Sequence, residues 1–333
     1  MNLRENCTNR SYLFDNFKAL LIFIVVLGHM FLKISEGNGY IRLSVAYIYT
    51  FHMPAFIFIS GYFSKNLEKC RRNTLVTLLP IYVIFSIIYS LVYNQSIVGA
   101  IVNPPGIMWY LFCIIIWKLS LEHISKVRFV LLVSIVLALY VGVNPEIGKL
   151  FSFSRLVCFL PFFLLGYYFD QSVIDRIKKI PYWISVCIFI VVSFVTVLAY
   201  NYGFIDMMMP YMVSSYDQMH YSSIWLGLIS RFFVFFVAFI IILCLIRIIP
   251  NKKLFFTSFG SNTLSIYLLH PLIIEVLANT IIFKSDNILL CVVLQILLSI
   301  VLVFVLGQNI VSKVIKEIST KIGRVCFLDD ESN

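Results

Sequence analysis

Charge is what this sequence has least of. Only 26 Lys or Arg and 16 Asp or Glu occur among 333 residues, 13% charged against 61% hydrophobic. A soluble domain averages about 25% charged. That scarcity excludes a large soluble domain and leaves a polytopic membrane protein. Metal-type spacing of cysteine or histidine is also missing, so no metal centre is expected. Low-complexity segments are absent, and so is a clear internal repeat. The missing repeat weakens a transporter built from two matching halves.

What is present is a series of apolar runs, long enough for helices that cross a bilayer in about 20 residues. They predict an all-α polytopic transmembrane helix bundle of about ten helices. The expected segments are 17–35, 44–63, 74–93, 107–121, 129–144, 153–170, 182–200, 223–247, 260–282 and 288–310. The first run resembles a signal peptide only superficially. Gly28-His29-Met30 is not a small-residue cleavage site, so the run reads as a retained helix.

Nineteen of the 26 basic residues then fall on one side of the membrane, starting with Arg4 and Arg10. Four fall on the other (Lys33, Arg42, Lys149 and Lys284), and three inside helices (Lys18, Arg155 and Arg231). The positive-inside rule makes the richer side cytoplasmic and places both termini there. The net charge of +10 is mostly this asymmetry plus attraction to anionic lipid, and it needs no nucleic acid. Cys7, Cys70 and Cys326 fall on the cytoplasmic side and the other five cysteines within helices, so no disulfide is expected.

Residues 1–310 thus form one transmembrane domain and 311–333 a cytoplasmic tail. In the tail, Val311, Val314, Ile315, Ile318 and Ile322 recur at helical spacing, with Lys313, Lys316, Glu317 and Lys321 on the other face. That pattern predicts an amphipathic helix on the inner leaflet, after which Asp329-Asp330-Glu331 frays into solvent.

Polar residues inside the apolar runs carry the functional signal, because a Lys at a helix centre costs about 2.5–3.5 kcal/mol on insertion scales. Lys18 and His29 are eleven residues apart on the first helix. That spacing puts them on one face, offset by roughly 20° and about 16 Å apart, with Asp15 near the same face. Such a stripe belongs against a protein interior or a water-filled cavity, with His29 a candidate base or nucleophile. His52, in Phe51-His52-Met53-Pro54, falls at comparable depth on the antiparallel second helix. Lys69, Arg71 and Arg72 follow that helix and fit the phosphates of an anionic ligand.

Trp109 and Tyr110, after Pro104-Pro105-Gly106, suit either an interfacial aromatic belt or a sugar-stacking platform. Arg155 and Arg231 lie in the outer parts of their helices and require a carboxylate or a ligand, with Glu275 the available deep carboxylate. Thr263, Tyr267 and His270 share a helix face. The loop at about 201–222, with Asp206, Pro210, Asp217 and His220, is placed to cap the bundle or to cover an outward-facing site. Intramembrane Lys, Arg, His and Glu suit a secondary transporter or flippase for a small polar solute equally well.

Taken together, these segments resemble the acyltransferase 3 family of bacterial integral-membrane O-acyltransferases, nearest its fucose 4-O-acetylase-like branch. The family's Lys/Arg-x10-His motif is matched by Lys18 and His29 in YLFDNFKALLIFIVVLGHM. FHMPAFIFISGYF, RLVCFLPFFLLGYYF and GSNTLSIYLLHPL match its pattern in order. The family's arginine pair after helix two is matched only loosely, by Lys69 and Arg72.

The resemblance implies transfer of an acyl group, usually acetyl, from cytoplasmic acyl-CoA to a hydroxyl of an extracytoplasmic or lipid-linked glycan. It implies acetyl-CoA as donor co-substrate without a metal, a glycan or glycolipid acceptor, and a multi-pass place in the bacterial inner membrane. Under it, His29 is general base or transient acyl carrier, Lys18 positions the donor or the developing oxyanion, and His52 assists proton transfer. Lys69, Arg71 and Arg72 hold the CoA phosphates, and Trp109, Arg155, Tyr267 and His270 line the acceptor side.

Overall fold

The structure is a computed structural model that describes residues 12–146, 152–278, 280–284 and 287–327. Arg4, Cys7, Arg10, Lys149 and Asp329 to Glu331 lie outside the described residues. Helices are the regular structure of the described chain, with no strand among the described residues.

The chain begins with two long helices, α1 (Tyr12–Leu32) and α2 (Gly39–Tyr62). The short α3 (Leu67–Asn73) runs through a π-helical stretch, Thr74–Leu78, into α4 (Leu79–Val92). Next come α5 (Ile97–Val102), a single 3-10 turn and α6 (Trp109–Ile124), then α7 (Val130–Tyr140). The segment expected at 153–170 is broken. It consists of α8 (Phe153–Cys158) and α9 (Leu160–Tyr168), interrupted beside Pro161, whose ring cannot continue a helix. It then turns by 87° into α10 (Gln171–Lys179). Beyond lie α11 (Tyr182–Asn201), α12 (Ile224–Ile248), α13 (Thr257–Ser261), α14 (Thr263–Leu277), α15 (Ile281–Lys284), α16 (Ile288–Leu306) and α17 (Asn309–Phe327).

Among the described residues, seven helices or joined helices are long and apolar enough to cross a membrane, eight if the bent pair is one span. The expected segments at 129–144 and 260–282 are apolar, but α7 and α14 are short. The protein is therefore a multi-pass membrane protein with an all-α bundle.

Local chemistry sets the helix starts. Asn38, Asn66, Ser96, Ser223 and Asn287 each accept a backbone N–H of the first turn of the helix that follows, the usual service of a short polar cap. α1 and α2 lie at the centre, in two apolar clusters that share the bundle between them. At one end of α1, Asn16 donates to the carbonyls of Pro250 and Lys252 (2.9 Å each) and accepts from Thr257 (2.6 Å). α1 is thereby tied to the loop before α13. At the periphery, α11 and α16 expose Ile190, Phe194, Leu297 and Phe304, side chains suited to lipid.

α17 is helical as expected, and it meets the bundle through small residues. Its bundle-facing stripe is Ser312, Ser319 and Gly323, and Ser319 Oγ donates to the Thr77 carbonyl at 2.6 Å. Val314, Ile318 and Ile322 remain exposed. Small residues let the α17 backbone approach the π-helical stretch closely, which leaves the apolar and charged faces outward.

Candidate active site

One cavity of about 370 Å³ brings together five of the site residues expected from the sequence: His29, His52, Trp109, Arg155 and Tyr267. α1 supplies His29, α2 supplies Tyr49 and His52, and Trp109 comes from the start of α6. Arg155 comes from α8, Pro210 and Tyr211 from the long loop before α12, and Tyr267 from α14. The helical spacing accounts for the first contributions. Tyr49 and His52 are three apart on α2, so both face α1.

The histidines are held in different ways. His29 Nδ1 lies 3.4 Å from the Tyr49 hydroxyl, and its ring centroid is 5.2 Å from that of His270. His52 Nδ1 donates to the Ile48 carbonyl at 2.8 Å, and His270 Nδ1 to the Ile266 carbonyl at 2.9 Å. A carbonyl only accepts, so in each neutral ring the lone pair is on Nε2. His270 is fully buried, and its Nε2 has no hydrogen-bond partner among the described residues. It lies behind His29 and does not line the cavity.

Arg155 is one of the two cations, with Lys33, that line the cavity. Its Nε donates to the Tyr211 carbonyl at 3.1 Å, and its guanidinium sits 4.8 Å from the centre of the Trp109 ring. Trp109 is in turn stacked on Phe159 at 5.3 Å. No carboxylate pairs with Arg155 among the described residues, which leaves guanidinium donors for a ligand. Trp109 is a buried wall of the site, and the interfacial belt position does not describe it.

The expectation for Glu275 is corrected. It is not a deep partner for an arginine. It pairs with Lys33 at 2.6 Å, with side chains 41% and 37% exposed. Both residues line the cavity, so this ion pair marks its open end. The reason is position: Glu275 lies in the last turn of α14, level with the turn that follows α1.

Arg231 also lacks a carboxylate partner among the described residues. It is fully buried and donates to the carbonyls of Ala138 (3.2 Å) and Ser214 (3.1 Å), with Tyr216 across its face at 4.6 Å. It anchors the loop that carries Tyr211 into the cavity. Arg231→Met removes the guanidinium from the Ser214 carbonyl and from the Ala138 carbonyl, which keeps only the Cys158 thiol at 3.5 Å; a polar group left unsatisfied costs about 1–3 kcal/mol. The expected outcome is rapid protease cleavage within 206–221, and wild-type resistance in that variant would refute the anchoring role.

Lys18, Lys69, Arg71 and Arg72 are not in the cavity. Lys18 pairs with Asp15 at 3.0 Å, 5.8 Å from the Phe63 ring, at the α3 end of α2. Lys69, Arg71 and Arg72 are exposed on α3 with no carboxylate partner among the described residues. Lys18 and the basic cluster thus flank the same end of α2, and His29 and His52 lie toward the other. The sequence reading missed Tyr49, Tyr211 and Lys33 as site residues. The three-residue step from His52 was the available signal for Tyr49, whereas an irregular loop gave none for Tyr211.

Comparison with known proteins agrees with this picture. A family model described as an acyltransferase domain matches residues 12–308, so the chain belongs to that acyltransferase family. It is 23% identical over 222 residues to the nodulation protein NolL of Mesorhizobium japonicum, covering 58% of this chain and 57% of that protein. It is 24% identical over 191 residues to the nodulation protein NolL of Sinorhizobium fredii, covering 50% and 51%. The chain spans about half the length of these curated relatives. No solved structure matches it significantly.

Proposed function

We propose that this member of the acyltransferase family is a membrane O-acetyltransferase that takes its acyl group from acetyl-CoA at the cytoplasmic face and gives it to a hydroxyl of an extracytoplasmic or lipid-linked glycan. The observation that carries the reading is the single cavity that joins His29, His52, Tyr49, Arg155 and an aromatic wall. Two histidines beside a tyrosine hydroxyl can move a proton, and a guanidinium stacked on an indole can hold an oxygen-rich acceptor.

In this reading the acceptor hydroxyl lies against His29. Its oxygen forms a bond to the thioester carbonyl carbon while the carbon–sulfur bond breaks. His29 takes the hydroxyl proton and returns it to the departing thiolate, so the products are an ester and free CoA thiol. His52 and Tyr49 hold the neighbouring hydrogen bonds. Arg155, Trp109 and Tyr267 hold the acceptor, and His270 sets the orientation of His29 from behind. Lys18, held by Asp15, positions the donor at the inner end of the stripe.

The charge set on α3 suits the donor's phosphates: three cations without carboxylate partners among the described residues, exposed at the end of the bundle away from the cavity's ion-paired mouth. Replacing Lys69, Arg71 and Arg72 together with Gln is expected to raise KM for acetyl-CoA more than tenfold with a smaller change in kcat, as loss of ground-state binding requires. An unchanged KM would remove the donor from this surface.

The reading as a whole is tested by NMR of surface glycans from a deletion strain and its complemented counterpart. Loss of O-acetyl signals on deletion and their return on complementation is expected. Identical spectra, with uptake of a polar solute lost instead, would favour a transporter.

A further inference from the structure

A second cavity, of about 160 Å³, lies end to end with the first. It runs between α1, α2, α6 and α14 toward the α3 end, and its wall includes Ile22, Phe56, Ser60, Tyr110, Lys118 and Thr263. Only Met53 and Tyr267 belong to the walls of both cavities. The helices present continuous faces along this line. On α1, Lys18, Ile22, Val25 and His29 recur at steps of four, three and four, and on α14, Thr263, Tyr267 and Pro271 recur at four. The α1 face from Ile22 to His29 is therefore lined by two cavities and the partition between them, with Lys18 one turn beyond Ile22.

The two halves of the partition differ in mobility. Tyr267 is fixed: its hydroxyl donates to the Ile107 carbonyl, and its ring packs edge-on against Tyr110 at 5.4 Å. Tyr110 is held in turn by Ser60 at 3.0 Å. Met53 carries no such bond. It is an unbranched thioether with three rotatable bonds, the side chain best able to swing within a packed wall. It is also the immediate neighbour of His52. The inner cavity offers polar groups suited to an amide-bearing arm. Lys118 has no carboxylate partner among the described residues and lies within electrostatic reach of Cys70 on the basic α3.

We infer that Met53, closing against the fixed Tyr267 ring, selects the size of the acyl group that reaches His29. The inference rests on the acyltransferase reading and on a donor that enters from the α3 end. Under both, every acyl group passes or occupies the Met53–Tyr267 partition before its carbonyl meets the acceptor hydroxyl beside His29 and His52. Acetyl fits past a thioether that moves aside. Longer or branched groups meet both the thioether and an aromatic ring that cannot move. The wall on the Met53 side is the adjustable one, so truncating it relaxes the selection without touching the histidines.

The test uses the full-length protein in detergent or vesicles, with acetyl-, butyryl- and isobutyryl-CoA offered to the same acceptor and free CoA thiol and ester product both measured. Wild type is expected to prefer acetyl. Met53→Ala is expected to raise the butyryl-to-acetyl and isobutyryl-to-acetyl ratios of kcat/KM by about tenfold or more, the scale on which a hydrophobic pocket senses methylene-sized changes. Met53→Leu, similar in volume, keeps the wild-type ratio. If Met53→Ala does not fold, Met53→Val removes less and carries the same comparison.

Transfer by wild type with ratios unmoved in the truncated variants would overturn the role of Met53 and leave the acyltransferase reading standing. Equal use of all three donors by wild type would overturn it as well. No transfer from any donor by folded wild type would overturn the acyltransferase reading and this inference with it.

Discussion

His29→Ala is expected to reach the membrane in normal amount and to form no O-acyl product, a loss of at least about 10²–10⁴-fold, the range that a positioned acid–base group supplies. The expectation follows from where His29 sits. It is the α1 residue in the cavity that can accept a proton, within reach of the Tyr49 hydroxyl and 5.2 Å from the buried His270 ring. Removing the imidazole leaves Arg155, Trp109 and Tyr267 able to hold an acceptor but nothing on α1 to take its proton. His29→Gln separates chemistry from shape. Glutamine keeps hydrogen-bonding capacity and similar bulk but carries no proton between acceptor and leaving group, so it is expected to be equally inactive. Size-exclusion profiles in detergent establish folding, and ester formation together with free CoA thiol gives the rate. Full activity of His29→Ala would end the proposal. Wild-type function in His29→Gln would point to a structural or sensing role for the imidazole.

The residues that were legible in the sequence were those that cost free energy in a membrane. Lysine, arginine and histidine inside apolar runs must face protein or water, and His29, His52 and Arg155 do line one cavity. Trp109 and Tyr267 were legible for a weaker reason, their place beside a proline turn and on a polar helix face. Tyr49 was not, because a tyrosine near a membrane boundary is ordinary and only its three-residue step from His52 marks it. Tyr211 lies in a loop without periodicity and reaches the cavity through contacts that Arg231 organises from a different helix.

The partner of Glu275 was misread for a similar reason. Its ion pair joins positions 242 residues apart, and sequence spacing carries no such information. The apolar runs located the helices well, since hydropathy records transfer from water. It does not record backbone breaks, so the interruption beside Pro161 and the 87° turn into α10 belong to the structure alone.

The largest expected effect on stability comes from the crossing of α2, which carries His52, with α9, which follows the α8 segment that carries Arg155. Gly61 and Gly166 meet there reciprocally. A Cβ at Gly61 would fall 2.0 Å from the Phe163 carbonyl oxygen, and one at Gly166 would fall 1.9 Å from the Phe58 carbonyl oxygen. Both obstacles are helical backbone, which cannot rotate aside as a side chain can. Within lipid there is no hydrophobic gain from helix association, so close backbone approach at small residues carries much of it. Gly61→Val or Gly166→Val therefore forces the helices apart, at a cost above the roughly 1–3 kcal/mol typical of overpacking, because two carbons beyond Cβ are added where none fits.

The expected result is loss of the monodisperse peak in detergent for either valine variant. Gly166→Ala is expected to fold with a lowered melting temperature and at least about a tenfold loss of activity, since misplacing catalytic groups by about 1 Å can cost roughly 10²-fold. Gly39, which has nothing within 4 Å of the added Cβ, provides the comparison: Gly39→Ala keeps both stability and rate. If Gly61→Val and Gly166→Val melt at the wild-type temperature, the crossing does not hold α2 and α9 together. The alignment of His52 with Arg155 would then have to come from the loop that Arg231 anchors.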